Sequence, residues 1–258
     1  MTEPVLVSEL KNVLPKGMVI PDALYKLYEW IEQNGFLHTI PGNTIISGYL
    51  WNTELLFAGT DFWAERYQGV GDLSTHNDFT LSHANIRFEA IGNKEFAHWM
   101  GKSSLDPHAL DRLCCIASSD GNGSRVALWL DDDNQTRVVF YGSGSGSSGY
   151  FTIGENALDF LKLLCIGYSE IGEIEDVTST PNARKPKKLG DSDYYYYFPY
   201  IIQNDALRSW VTSEFNAIIP STAQDIIRNH DSLISLADQP EIIKDPFHTW
   251  VIITSGAL

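Results

Sequence analysis

The clearest pattern of hydrophobic and polar positions lies between residues 125 and 168. Two short runs rich in β-branched and aromatic residues, 126–130 and 138–141, predict strands that are buried on at least one face. The residues between them, 131–135, are acidic and polar turn formers, so the pair predicts a β-hairpin. A third short strand is expected at 150–153. We expect this stretch to form the centre of the fold.

An apolar helix is predicted directly after these strands. Thr152 and Glu155 have the spacing of a capping box, which would satisfy backbone amides at the start of the helix. Apolar residues then recur at helical spacing, at Leu158, Leu161, Cys165 and Tyr168. Gly167 is expected to end the helix, because glycine readily adopts the left-handed backbone conformation of a C-terminal cap.

The rest of the chain carries weaker periodic signals. Helices are predicted at 8–14, at 21–34 and at 206–215, where apolar residues follow helical spacing. The apolar run 250–253 (WVII) predicts a closing strand. The histidines are scattered, and His83 is expected in a loop of surface residues.

The division into domains follows from a change in composition. Residues 178–193 are polar, contain two prolines and hold the clustered basic residues, so they are predicted to be a linker or loop. We therefore expect an α+β domain over 1–177 and a C-terminal α/β extension over 194–258 that packs on it.

Composition and charge narrow the range of partners. Of the 258 residues 43% are hydrophobic, which is enough for a substantial core, and the formal net charge is −15. This acidity argues against nucleic acid or an anionic membrane as the ligand and permits a basic protein partner. No apolar run approaches the roughly 20 residues of a membrane span, and no signal peptide is recognised. A cytoplasmic protein with three buried, reduced cysteines is the expectation.

No recognisable catalytic, cofactor or metal site emerges from the motifs. Gly144, Gly146 and Gly149 match the dinucleotide pattern G-x-G-x-x-G, but the strand predicted after them stands where that motif opens a helix. The acidic turn at 131–134 begins like a calcium loop, but Thr136 replaces its glycine. We expect a protein that is not an enzyme and has no cofactor, with nucleotide or small-molecule binding as a less favoured alternative.

The order of these segments and their amino-acid sequences resemble those of a known family. A proline-led N-terminal helix ends at Asn34 and Gly35, and later come "ALWL", an acidic hairpin, "VVFYGSG" and the helix "ALDFLKLLCIGY". This resembles the SUKH superfamily, relatives of the fungal cell-wall-synthesis regulator of the Smi/Knr type, and in particular its bacterial members. The resemblance is strongest over 110–172 and looser over 10–60.

The resemblance implies a fold and a function. The fold would be α+β, with a central, mostly antiparallel sheet flanked by helices and no catalytic residues. Many bacterial members are immunity proteins, which bind a cognate polymorphic toxin in the cytoplasm and occlude its active or partner surface. The fungal relative suggests an alternative, a regulatory scaffold that has no toxin partner.

Acidic residues are the candidates for contact with such a toxin, whose surface would be basic. They occupy the hairpin turn and the segment after the predicted helix, at Asp131, Asp132, Asp133, Glu170, Glu173, Glu175 and Asp176. Carboxylates in these positions would compete for a surface that a nuclease toxin uses for phosphate.

Overall fold

A computed structural model of the chain describes most of its residues. The described residues are 2–39, 45–56, 79–93, 96, 107–121, 123–143, 149–174, 176–183, 187–188, 195–196, 200–227 and 245–255. All structural statements below concern these residues.

The fold is α+β with a central antiparallel sheet, as predicted, and this sheet has seven strands. The described strands are β1 (Leu37–Thr39), β2 (Ile46–Gly48), β3 (Phe79–Leu81), β4 (Arg87–Gly92), β5 (Leu113–Ser118), β6 (Arg125–Leu130), β7 (Thr136–Tyr141), β8 (Tyr150–Thr152), β9 (Lys187–Lys188), β10 (Tyr195–Tyr196) and β11 (Tyr200–Ile202). The order in the main sheet is β1-β2-β4-β5-β6-β7-β8. Two small pairs lie outside it: β9 with β10 antiparallel, and β3 with β11 parallel.

The helices differ widely in length. They are α1 (Val5–Val13), α2 (Asp22–Gln33), α3 (Thr53–Leu56), α4 (Pro107–Leu110), α5 (Ala157–Ile166), α6 (Asp205–Phe215) and α7 (Pro246–Ser255). Single 3₁₀ turns occur at Ile171–Glu173 and Ala223–Asp225. The predicted helices at 21–34 and 206–215 are confirmed with small shifts of their ends, and the first helix begins three residues earlier than predicted.

The predicted hairpin is confirmed at the centre of the sheet. β6 and β7 pair over their whole length, from Arg125 opposite Tyr141 to Leu130 opposite Thr136. The turn between them reverses at Asn134, whose φ of 58° is tolerated better by Asn than by most residues. β8 continues the sheet beside β7, as the third predicted strand requires.

One face of the sheet carries the main core. Alternate strand residues such as Ile116, Leu128 and Phe140 point to this face and are fully buried. Helices α1, α2, α5 and α6 contribute the opposing apolar side chains, so the stripe predicted for α5 is buried as expected.

The opposite face is only partly apolar. Cys115, Trp129 and Tyr141 form a second cluster there, which Phe96 and the apolar side of α7 cover. All three cysteines of the chain are buried, and none forms a disulfide. The sheet is therefore a middle layer between α1, α2, α5 and α6 on one side and α7 on the other.

The predicted closing strand at 250–253 is wrong, because these residues belong to helix α7. The residues that favour a helix over a strand lie just before this run. The Asp245 carboxylate accepts hydrogen bonds from the amides of Phe247 and His248, and Pro246 occupies the first helical position. The four β-branched and aromatic residues therefore lie in a helix, because residues that precede them determine where the helix begins.

The capping box predicted at Thr152 and Glu155 is also wrong. Asn156 is the N-cap of α5, and its side chain accepts from the amides of Leu158 and Asp159. The chain turns into the helix at Gly154, where φ is +66° and an added Cβ would lie 2.3 Å from the Cβ of Asp159. Thr152 ends β8 instead. The prediction of Gly167 as the C-terminal cap is confirmed, since its φ is +89°.

The C-terminal residues share the core of the preceding chain. Leu207 and Val211 of α6 are fully buried in the main core, and β11 pairs with β3. The linker at 178–193 and the division into 1–177 and 194–258 stay predictions, since much of 178–199 lies outside the described residues.

Candidate functional site

The acidic hairpin turn lies beside a cavity of about 810 Å³, which we call the hairpin cavity. The start of α5 and the residue that begins α7 close its other sides. Its lining comprises Trp129, Asp131, Asp132, Asp133, Arg137, Thr152, Gly154, Glu155, Asn156, Ile226 and Pro246. Three of the predicted contact residues therefore meet at one concave surface.

Asp131 holds the hairpin turn in shape. Its side chain accepts from the amides of Asp133 and Gln135, and its Oδ2 lies 2.9 Å from Nε of Arg137. Burial opposes ionisation of this carboxyl, but the bonds from Arg137 and the two amides outweigh burial and lower its pKa. Asp131 therefore fixes the turn that presents its neighbours.

Asp132 and Asp133 are exposed at the tip of this fixed turn. The side chain of Asp132 is 86% exposed and pairs with Nη1 of Arg112 at 2.8 Å. The guanidinium of Arg112 also lies over the rings of Trp129 and Trp250, at 5.7 and 5.6 Å from their centroids. One ion pair thus connects the acidic tip to the aromatic cluster under α7.

Arg137 ties the turn to helix α5. Its Nη1 donates to the carbonyl of Glu155 at 2.7 Å, while its Nε bonds to Asp131. Glu155 is exposed and lies in the lining of the same cavity. At this end of the sheet, the carboxylates therefore lie on a turn that hydrogen bonds hold in one conformation.

The second predicted acidic group serves mainly local structure. Glu170 accepts from Nδ2 of Asn85, and its pKa is raised, chiefly by burial. Glu173 accepts from the hydroxyl of Ser169. The carboxylate of Asp176 accepts from Thr178 and Ser179 and closes a turn. Glu175 lies outside the described residues.

The two acidic groups lie at opposite ends of the molecule. Helix α5 starts at the hairpin cavity and ends just before Glu170, and ten helical residues span about 15 Å. Asn85, the partner of Glu170, lies near Ser118 at the end of β5 that is farthest from the hairpin turn. A single contact surface on one end of the sheet therefore includes Asp131, Asp132 and Asp133 and not Glu170, Glu173 or Asp176.

Two cations and two aromatic residues of this site were not predicted from the sequence. Arg112 and Arg137 are as prominent in the geometry as the carboxylates, and Trp129 and Trp250 supply the surface below Arg112. Arg137 could have been predicted from the sequence, because it lies two residues after the turn in the predicted hairpin. Arg112 and Trp250 are separated by more than one hundred residues, so no local pattern connects them.

The described residues show no further site of two common kinds. Within the part of the chain that the structure describes, no group of three or more His, Cys, Asp or Glu side chains has an arrangement that could hold a metal ion. No helix among these residues is both long and apolar enough to cross a membrane. The glycines at 144 and 146 of the dinucleotide-like pattern lie outside the described residues, and Gly149 has a φ of +122°.

In comparisons with known proteins, no family model, curated protein or solved structure matches the chain at a significant level.

Proposed function

We propose that this chain is a cytoplasmic immunity protein of the SUKH type, a binding protein rather than an enzyme. It would bind a basic protein toxin through the acidic hairpin end and occlude the toxin's active or partner surface. The observation that carries the proposal is the pair of exposed carboxylates, Asp132 and Asp133, on a turn that Asp131 holds rigid.

The charge of the chain supports encounter with such a partner. A net charge of −15 produces a negative field, which accelerates association with a basic protein and is weakened by salt. The exposed carboxylates of the hairpin turn carry part of this charge, and they can contact a concave basic site on the toxin. Attraction between opposite charges sets the association rate and the orientation of the complex more than its final affinity.

The rigidity of the turn supports affinity. A loop that must order on binding costs about 0.5–1.5 kcal/mol for each immobilised flexible side chain. Asp131 and Arg137 already order this turn through bonds to Gln135 and Glu155. The hairpin cavity beside it offers a concave surface for a side chain of the partner.

The first test is co-expression with the product of the adjacent gene, if that gene encodes a toxin. We expect a complex that survives size-exclusion chromatography and restored growth of cells that express the toxin. Absence of both complex and rescue would contradict an immunity function.

A double variant, Asp132→Asn with Asp133→Asn, tests the surface. We expect the association rate at low salt to fall about tenfold, because two steering charges are lost, with little change in thermal stability, since an exposed ion pair contributes about 0–1 kcal/mol. Glu9→Gln with Glu54→Gln removes two exposed carboxylates elsewhere and is the matched control. Stopped-flow association at two salt concentrations measures the effect. Equal rates for the two double variants would exclude the hairpin tip as the contact.

A further inference from the structure

Three polar side chains stand side by side at the end of the sheet opposite the acidic hairpin. The strand register places Arg87 of β4 opposite Ser118 of β5, and Ser118 opposite Arg125 of β6. Residues paired directly point to the same face, and neighbouring strands are about 4.8 Å apart. The two arginines therefore leave the sheet roughly 10 Å apart with a hydroxyl between them.

This row lies in a cleft of about 560 Å³, which we call the arginine cleft. Its volume falls in the range of about 300 to 1,000 Å³ that is usual for small-molecule sites. Its lining comprises His38, Tyr49, Leu56, Ala84, Asn85, Arg87, Ser118, Asp120, Gly121, Gly123 and Arg125. The cleft continues the same face of the sheet that α7 covers farther along, but here that face is polar.

Arg87 is held in position by its neighbours. Its Nε lies 2.8 Å from Oε1 of Glu89, a residue that is only 8% exposed. The hydroxyl of Ser47 donates to the same carboxylate oxygen. A buried carboxylate thus forms an ion pair with the guanidinium and restricts its movement, and a restricted guanidinium loses less freedom when it binds an oxyanion.

The other polar side chains that line the cleft include Tyr49 and Asn85 as well as the carboxylate of Asp120. Burial raises the pKa of Tyr49, although Arg87 opposes that shift, so the phenol keeps its proton at neutral pH and can donate. The lining carboxylate, Asp120, is 6% exposed and accepts the amide of Ser124. Because Glu89 and Asp120 offset the two guanidinium charges, directed hydrogen bonds rather than a net positive field would hold a ligand. That arrangement favours a small oxyanion over a polyanion.

We propose that the arginine cleft binds the oxyanion of a small ligand, a carboxylate or a phosphate, through Arg87, Ser118 and Arg125. A planar guanidinium group can donate two parallel N–H bonds to either a carboxylate or a phosphate. The hydroxyl of Ser118 would donate a further hydrogen bond from between the two arginines. The site is separate from the acidic hairpin, and its existence does not depend on toxin binding.

The direct test is titration of the isotope-labelled protein with inorganic phosphate and, separately, with acetate. Chloride at the same ionic strength is the reference, and amide shifts are followed by NMR. We expect saturable shifts with at least one oxyanion, concentrated at residues 85–89 and 117–125. Saturation by phosphate alone or by acetate alone identifies the class. No saturation with either, or shifts centred elsewhere, would overturn the proposal.

Variants then test the residues. Arg125→Gln should weaken oxyanion binding at least tenfold, because it removes a charge-assisted hydrogen bond to the ligand. Arg87→Gln is made together with Glu89→Gln, so that no buried carboxylate loses its cation, and the same loss is expected. Lys16→Gln, at an exposed position outside the cleft, is the matched control.

Two comparisons complete the test. Unchanged affinity in Arg125→Gln with a native thermal transition would overturn the proposal. If that variant fails to fold, the positions of the shifts in the unmodified protein decide the question. The double variant Asp132→Asn with Asp133→Asn should bind the oxyanion normally, so failure at one site is distinguishable from failure at the other.

Discussion

At the scale of single residues, the burial of His83 links stability to pH. His83 is 1% exposed and adopts a φ of 49° in the turn between β3 and β4. Its amide bonds to the carbonyls of Tyr168 and Ser169, which holds the ring inside the protein. The expectation that His83 lies among surface residues is wrong. Burial lowers its pKa to about 4, and the backbone carbonyl of Leu163 offsets only part of that effect.

We expect the free energy of unfolding to decrease as pH falls from about 6.5 to about 4. The unfolded histidine takes up a proton in that window and the folded one does not, so His83 contributes a slope of up to about 1.4 kcal/mol per pH unit. Burial lowers the pKa of His248 as well and acts in the same direction. Urea unfolding at several pH values measures the slope.

His83→Asn should reduce this slope, since Asn tolerates the left-handed conformation and does not titrate. Ser209, an exposed residue that does not titrate, provides the control substitution, Ser209→Asn, which should leave the slope unchanged. An identical slope in both variants would mean that His83 does not titrate differently in the folded and unfolded states.

At the scale of elements, one carboxylate attaches helix α7 to the edge of the sheet. Asp245 is 1% exposed, and its two oxygens accept from the amide and the hydroxyl of Thr152 in β8 as well as from the first turn of α7. Phe247 and Trp250 then pack on Trp129, with ring centroids 5.4 and 5.8 Å from it. The carboxylate fixes the start of the helix, and the aromatic side chains fix its face.

Asp245→Ala should destabilise the protein by about 2 kcal/mol, because it removes a helix cap and leaves the amide of Thr152 without its acceptor. We expect amides 246–255 to exchange with solvent before the rest of the chain. Hydrogen exchange resolved along the chain measures this. Asp225→Ala, at an exposed position of a 3₁₀ turn, is the control. Loss of protection across all strands, with none specific to α7, would contradict a local role for Asp245.

At the scale of the whole molecule, residues far apart in the chain share one core. Trp30 of α2 stacks on Trp210 of α6 at 5.5 Å, and Lys26 pairs with Glu214 between the same helices. The side chain of Asn204 donates to the carbonyl of Leu50 at 2.6 Å. These contacts make the stability of α6 and of the central sheet interdependent.

Leu207→Ala therefore tests the unity of the fold. Leu207 is fully buried in the main core, so truncation should cost about 2–5 kcal/mol. We expect amides of β5, β6 and β7 to lose protection together with those of α6. Ser209→Ala, exposed on the same helix, should have no such effect. If only residues after 194 lost protection, the C-terminal extension would be an independent unit.

The sequence by itself determined the elements whose signals are local. The β6–β7 hairpin, its acidic turn, α2, and the end of α5 at Gly167 follow from short apolar runs, helical spacing and glycine conformation, each within fewer than 20 residues. The candidate carboxylates at 131–133 were found in the same way, because acidic residues between two predicted strands indicate a turn, and two of them, Asp132 and Asp133, are exposed.

Only the tertiary structure decided how these elements combine. The run at 250–253 suits a strand or a helix, and the capping of α7 and its packing on Trp129 made it a helix. The pairing of β3 with β11 joins segments about 120 residues apart, and the row of Arg87, Ser118 and Arg125 exists only through strand register. Such arrangements depend on contacts between residues that are distant in the sequence, and these contacts produce no local pattern of hydrophobic and polar residues.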